Sequence, residues 1–138
     1  MLVPLDGSPL ADEALDYALQ VFDCRITVLN VVTPLDAGMS ESGVVEVDER
    51  RRQAARDRAD ELIETARDRA GASDRTIDTV VEVGVPAEAI LAYVADTDVD
   101  QIVMGGHGGP ASGSVRRLLG TVAPTVVGEA PVAVTVVR

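Results

Sequence analysis

Leu2-Val3-Pro4-Leu5-Asp6-Gly7-Ser8-Pro9-Leu10-Ala11 stands at the start of the sequence, and its reading decides the fold. The apolar run Leu2 to Leu5 suits a short buried strand, and Asp6-Gly7 is a turn signal. Ser8 followed by Pro9 then marks a helix start: a hydroxyl caps the first free amides, and the proline ring fixes a backbone angle that the first turn already needs. Ala11, Leu15, Ala18 and Phe22 fall on one face of that helix. A strand that passes directly into a helix begins a βα unit. Further apolar, β-branched runs occur at Ile26 to Val32, Thr79 to Val83, Ile102 to Met104 and Val132 to Val137, with longer helical stretches between them. That alternation predicts an α/β fold around a mostly parallel sheet.

Between Glu46 and Ala70, residues Ala55, Ala59, Leu62, Ile63, Ala66 and Ala70 repeat at helical spacing while Arg, Asp and Glu fill the opposite, solvated face. Pro86 opens a third helix carrying Ile90, Leu91 and Val94, and Asp98 to Asp100 lead into the fourth strand. Thr33 to Val44 holds Pro34, Gly38, Ser40, Ser42 and Gly43 and reads as a mobile surface loop. With neither an internal repeat nor a linker, residues 1–138 are read as one domain.

The formal charge of −11 arises from 23 acids against 12 bases, all of them arginine, since the sequence has no lysine. Such a surface repels nucleic acid and anionic lipid, and its self-repulsion is relieved by salt, which predicts a halophilic source. Apolar stretches of about seven residues fall far short of the roughly 20 that span a membrane, and no leader pattern opens the chain, so the expectation is a cytoplasmic protein. Cys24 and His107 are the only residues of their kinds. Disulfide frameworks and Cys/His metal sites are thereby excluded. The aromatic residues Tyr17, Phe22 and Tyr93 are too few for a base-stacking platform.

After the fourth strand comes Met104-Gly105-Gly106-His107-Gly108-Gly109-Pro110-Ala111-Ser112-Gly113-Ser114, with five glycines in the nine residues from Gly105. This density exceeds what packing calls for. Glycines let successive backbone amides approach and cradle phosphate oxygens. Taken alone, the run fits a tolerated surface loop equally well. Pro124 would break a helix running on from Ser114 but suits one that begins near Thr121, so Thr121 becomes an N-cap with Gly120 before it. The free amides of such a first turn attract anions, although a cap without a ligand has the same appearance. Asp6, beyond the first strand, is placed where open α/β sheets bind ligands; its alternative role is an Asx turn into the first helix.

Rival motifs fail on particular residues. A P-loop needs a lysine, and so does the receiver-domain phosphoacceptor site; Gly106 to Ala111 fits a dinucleotide fingerprint but follows the wrong strand. A hydrolase triad would have only His107 for its base and lacks a nucleophile elbow, so His107 is read as a loop or phosphate-facing residue.

Val3-Pro4-Leu5-Asp6-Gly7-Ser8, Ile26 to Val32, Val83-Gly84-Val85-Pro86, Met104 to Gly108, Gly120-Thr121 and Ala130-Pro131-Val132 together resemble the universal stress protein (UspA-type) family over essentially the whole chain. The resemblance implies a three-layer, Rossmann-like fold whose open parallel five-stranded sheet has the order 3-2-1-4-5. It also implies a homodimer, and the apolar, uncharged edge strand Val132 to Val137 predicts that the two copies join through this C-terminal strand. In the family's nucleotide-binding branch, Asp6 and Val31 would contact adenosine, Gly105 the ribose, and Gly108, Gly120 and Thr121 the phosphates. Pro4, Leu5, Met104, His107, Gly109 and Val122 flank these and complete the candidate set. The implied cofactor is ATP, or AMP or ADP, with Mg2+ or Mn2+; no catalytic residue is evident, and ATP hydrolysis would at most be slow. The spacing departs from the family pattern: the 11 residues Gly109 to Leu119 separate Gly108 from Gly120, two more than the pattern, and the loop lacks its usual basic residue at Gly109-Pro110-Ala111. The longer loop either wraps a triphosphate with Arg116 or Arg117 nearby or has lost that ability, which leaves a protein-interaction module as the second reading.

Overall fold

β1 (Leu2–Pro4) lies between β2 (Thr27–Val32) and β4 (Gln101–Gly105), with β3 (Asp78–Val83) outside β2 and β5 (Ala133–Val137) outside β4. A computed structural model of the chain describes residues 1–34, 45–106 and 122–138, with the backbone alone over 45–48. All pairings are parallel, and the order β3-β2-β1-β4-β5 is the one that the family resemblance implies. The order reverses at β1, so the chain leaves β1 and β4 in opposite directions and opens a crevice beyond their carboxyl ends.

Helices cover both faces. α1 (Pro9–Val21) and α2 (Val45–Ala72) pack on one side, where Val3, Leu5, Val28 and Val103 meet Leu15 and Ile63. α3 (Pro86–Asp96) and α4, helical over residues 122–129, pack on the other, where Leu2, Leu29, Ile102 and Met104 meet Ile90, Val94 and Val126. Adjacent strand residues such as Leu2 and Val3, or Val28 and Leu29, face opposite layers and are all fully buried, which explains the unbroken apolar runs.

Alanines at 55, 59, 66 and 70 bring α2 close to the sheet, and Arg69 ties it to α1 through Asp16 at 2.7 Å and Asp12 at 3.5 Å. α2 runs two residues past Ala70 before Asp74, at φ 60, turns the chain out of the helix. Arg75 then closes the far end of α1. Its Nη1 donates to the carbonyls of Leu19, at 2.8 Å, and Phe22, while Nη2 donates to that of Cys24 at 2.7 Å. These carbonyls lie where a helix runs out of amide partners. Arg25 and Asp78 join β2 to β3, and the hydrogen bond from the guanidinium holds the Asp78 carboxyl below its usual range. This tie is therefore present above the ordinary carboxylate pKa and is lost only as pH falls through the lowered value.

The elements differ from expectation mainly at their ends: Leu5, Ile26 and Val132 fall just outside their strands, and Phe22 is the C-cap of α1. Ser8 and Pro9 start α1 and Pro86 starts α3, as read from the sequence. The expected surface loop lies outside the described residues from 35 to 44.

Candidate functional site

Asp6, Gly7 and Ser8 form the turn that leaves β1 at the crevice. Leu5 still donates its amide to Leu29 O at 2.9 Å, and Leu5 O accepts a 2.9 Å hydrogen bond from Asn30 Nδ2. Asp6 Oδ1 accepts from the Ser8 amide at 2.9 Å, the Asx turn named as its alternative role, and Gly7 takes φ 84, a left-handed conformation natural to glycine. Ser8 Oγ accepts from the Ala11 amide at 3.2 Å, capping α1. Leu62 of α2 covers the turn: its Cδ2 lies 3.5 Å from where a Cβ on Gly7 would be. Asp6 stays exposed beyond the end of β1.

Gly105 ends β4 beside this turn. A Cβ there would stand 2.9 Å from Leu10 C and 3.0 Å from Ala11 N, and a Cβ on Gly106 would stand 2.9 Å from Val136 Cγ1. Packing thus calls for these two of the five glycines in the run, while Gly108, Gly109 and Gly113 lie outside the described residues. At Gly105 the pressing atoms are the backbone of the first turn of α1. Bare backbone at β4 is what lets α1 begin directly above the crevice.

The remaining candidate residues divide by layer. Val31, Met104 and Val122 belong to the apolar cluster on the α3 and α4 side, with Val31 and Val122 only partly buried there. Leu5 is 3% exposed in the α1 and α2 cluster, so only its backbone borders the crevice. Pro4 is half-buried at the end of β1, paired with Leu29. His107, Gly108, Gly109, Gly120 and Thr121 lie outside the described residues, as do Arg116 and Arg117. Residues 122–129 are helical, which agrees with a helix beginning near Thr121. Among the described residues no three His, Cys, Asp or Glu side chains converge as a metal site would require, and no helix is long and apolar enough to cross a membrane. Sequence reasoning passed over Asn30, whose signal was a lone amide within the apolar run Ile26 to Val32.

An open, doubly wound parallel sheet with its crevice between the carboxyl ends of β1 and β4 defines a Rossmann-like α/β protein. The model of the universal stress protein family matches residues 1–138, and the chain belongs to that family. Among solved structures, it is similar to the universal stress protein UspA from Lactobacillus plantarum, at 27% identity and a TM-score of 0.81, over 99% of this chain and 95% of that one. A universal stress protein in complex with cAMP is 24% identical at a TM-score of 0.69, over 99% and 94% of the two chains. A family protein from Arabidopsis thaliana with AMP bound is 19% identical at a TM-score of 0.69, over 99% and 88%. A search of curated protein sequences finds no match.

Proposed function

We propose that the protein is an adenine-nucleotide-binding, dimeric stress-response regulator of the cytoplasm that binds without catalysing. The observation that carries this reading is the exposed Asp6 carboxylate, held in a rigid turn at the crevice beside the bare backbone of Gly105. A carboxylate accepts from two neighbouring hydroxyls, as a ribose offers, and the half-buried Val31 and Val122 supply apolar surface for a base. The residues present therefore fit a nucleoside. The cAMP and AMP complexes of its structural neighbours support the same ligand class. ATP is the proposed physiological ligand, with its phosphates at Gly108, Gly120 and Thr121 and with Mg2+ or Mn2+ as counter-ion. The acidic, lysine-free composition supports a halophilic setting.

Dimerisation is proposed through β5. Val137 O accepts from Gly106 N at 2.8 Å, so by alternation the backbone groups of Val134 and Val136 point away from β4 towards the sheet's edge. The opposite edge offers a second reading of self-association, because Val81 and Val83 of β3 are 47% and 49% exposed. Mass spectrometry of nucleotide carried through purification tests the ligand class: an adenine nucleotide released on denaturation, and absent from an Asp6→Ala preparation, is the expected result. Equal nucleotide in both preparations would remove Asp6 from the site.

A further inference from the structure

Asn30 is the one polar side chain among the described residues that is buried, at 5% exposure, and it sits on β2 directly before Val31. Burying an amide costs free energy unless hydrogen bonds replace its water. Its amide donates not to another core group but to Leu5 O, the last carbonyl before Asp6. The opposite bond, from Leu5 N to Leu29 O, fixes the other side of the same residue. Leu5 is thereby clamped on both its amide and its carbonyl by two consecutive residues of β2. Everything downstream inherits this orientation: the Asp6 Asx turn, the left-handed Gly7 and the Ser8 cap. An apolar residue at position 30 would continue the strand equally well, so burial alone does not explain an amide here.

We propose that Asn30 is a positioning residue for nucleotide binding, fixing the Leu5 carbonyl so that the Asp6 carboxylate meets the ribose in one orientation; this rests on the nucleotide-binding reading above. Asn30→Asp keeps the shape but replaces the donor with an acceptor, which repels Leu5 O. Asn30→Ser is smaller, cannot reach the carbonyl, and serves if the aspartate variant does not fold. Ile26→Val, just before the opposite end of β2, is the control for loss of stability without loss of the clamp. AMP is titrated calorimetrically into each protein under conditions where circular dichroism shows it folded. The expected result is a weakening of about tenfold or more for either Asn30 variant, with Ile26→Val within about twofold of wild type. A folded Asn30 variant that binds AMP as wild type does, or an equal loss in Ile26→Val, overturns the positioning role while leaving the nucleotide reading intact. Wild type that binds neither AMP nor, titrated in the same way, ADP or ATP overturns both.

Discussion

Gly105 and Gly71 meet opposite surroundings, and a methyl group added to each separates them. At Gly105 the new carbon would press on the backbone of Leu10 and Ala11, at 2.9 and 3.0 Å, whereas nothing lies within 4 Å of the corresponding position in Gly71 of α2. Gly105→Ala is expected to destabilise the protein by about 1–3 kcal/mol through overpacking. Gly71→Ala should stabilise it by about 0.5–1 kcal/mol, because alanine loses less backbone freedom in a helix. Urea denaturation of both variants checks the pair. The glycine run was legible in the sequence as unusual, but not what it is used for. Composition shows that Cβ atoms are absent without showing which backbone arrives to fill the space. Asp6 was legible as an Asx turn, which engages one oxygen and leaves the residue exposed. Asn30 escaped notice because period and composition both mark position 30 as core, and only the register of β2 against the end of β1 gives its amide a partner.

Among the elements, α1 shows how far local signals reach. Its start was written in Ser8 and Pro9, both used as the sequence implied. Its end was not, because the cap comes from Arg75, 53 residues beyond Phe22. Arg75→Met should destabilise the protein by about 2 kcal/mol by removing charge-assisted bonds to three carbonyls, with Arg75→Lys intermediate, measured by urea denaturation. The edge strand β5 carries the dimer proposal. Charge at Val134 or Val136 is a poor probe of it, since both side chains pack partly against the core with Met104. Val134→Pro is better: it removes an amide that points away from β4 and leaves the β4 ladder intact. Light scattering should show a wild-type dimer and a Val134→Pro monomer; a dimer that survives in Val134→Pro but is lost in Val81→Lys would place self-association at β3.

For the whole molecule, the layers and the parallel sheet were legible because each βα unit announces itself, whereas the strand order came only with the family resemblance. The ion pairs that tie α2 to α1 within one layer, from Arg69 to Asp12 and Asp16, were not, since a charge run reads only as a solvated face. With 23 acids against 12 arginines, the folded chain repels itself over a screening length of about 10 Å at 0.1 M salt and about 3 Å at 1 M. The thermal midpoint should therefore rise from low to molar potassium chloride, and a flat profile would remove the halophilic reading. The central claim is adenine-nucleotide binding at the crevice, and titration calorimetry of ATP into wild type and Gly120→Val tests it most directly, with circular dichroism as the folding control. A branched side chain at position 120 would occupy space proposed for a phosphate, and losing a few kcal/mol from a micromolar complex, about −8 kcal/mol, moves it towards millimolar. The account expects saturable ATP binding by wild type and none measurable by folded Gly120→Val. Equal binding by both would contradict the phosphate site, and no binding of ATP, ADP or AMP by wild type would contradict the function itself and favour a protein-interaction module.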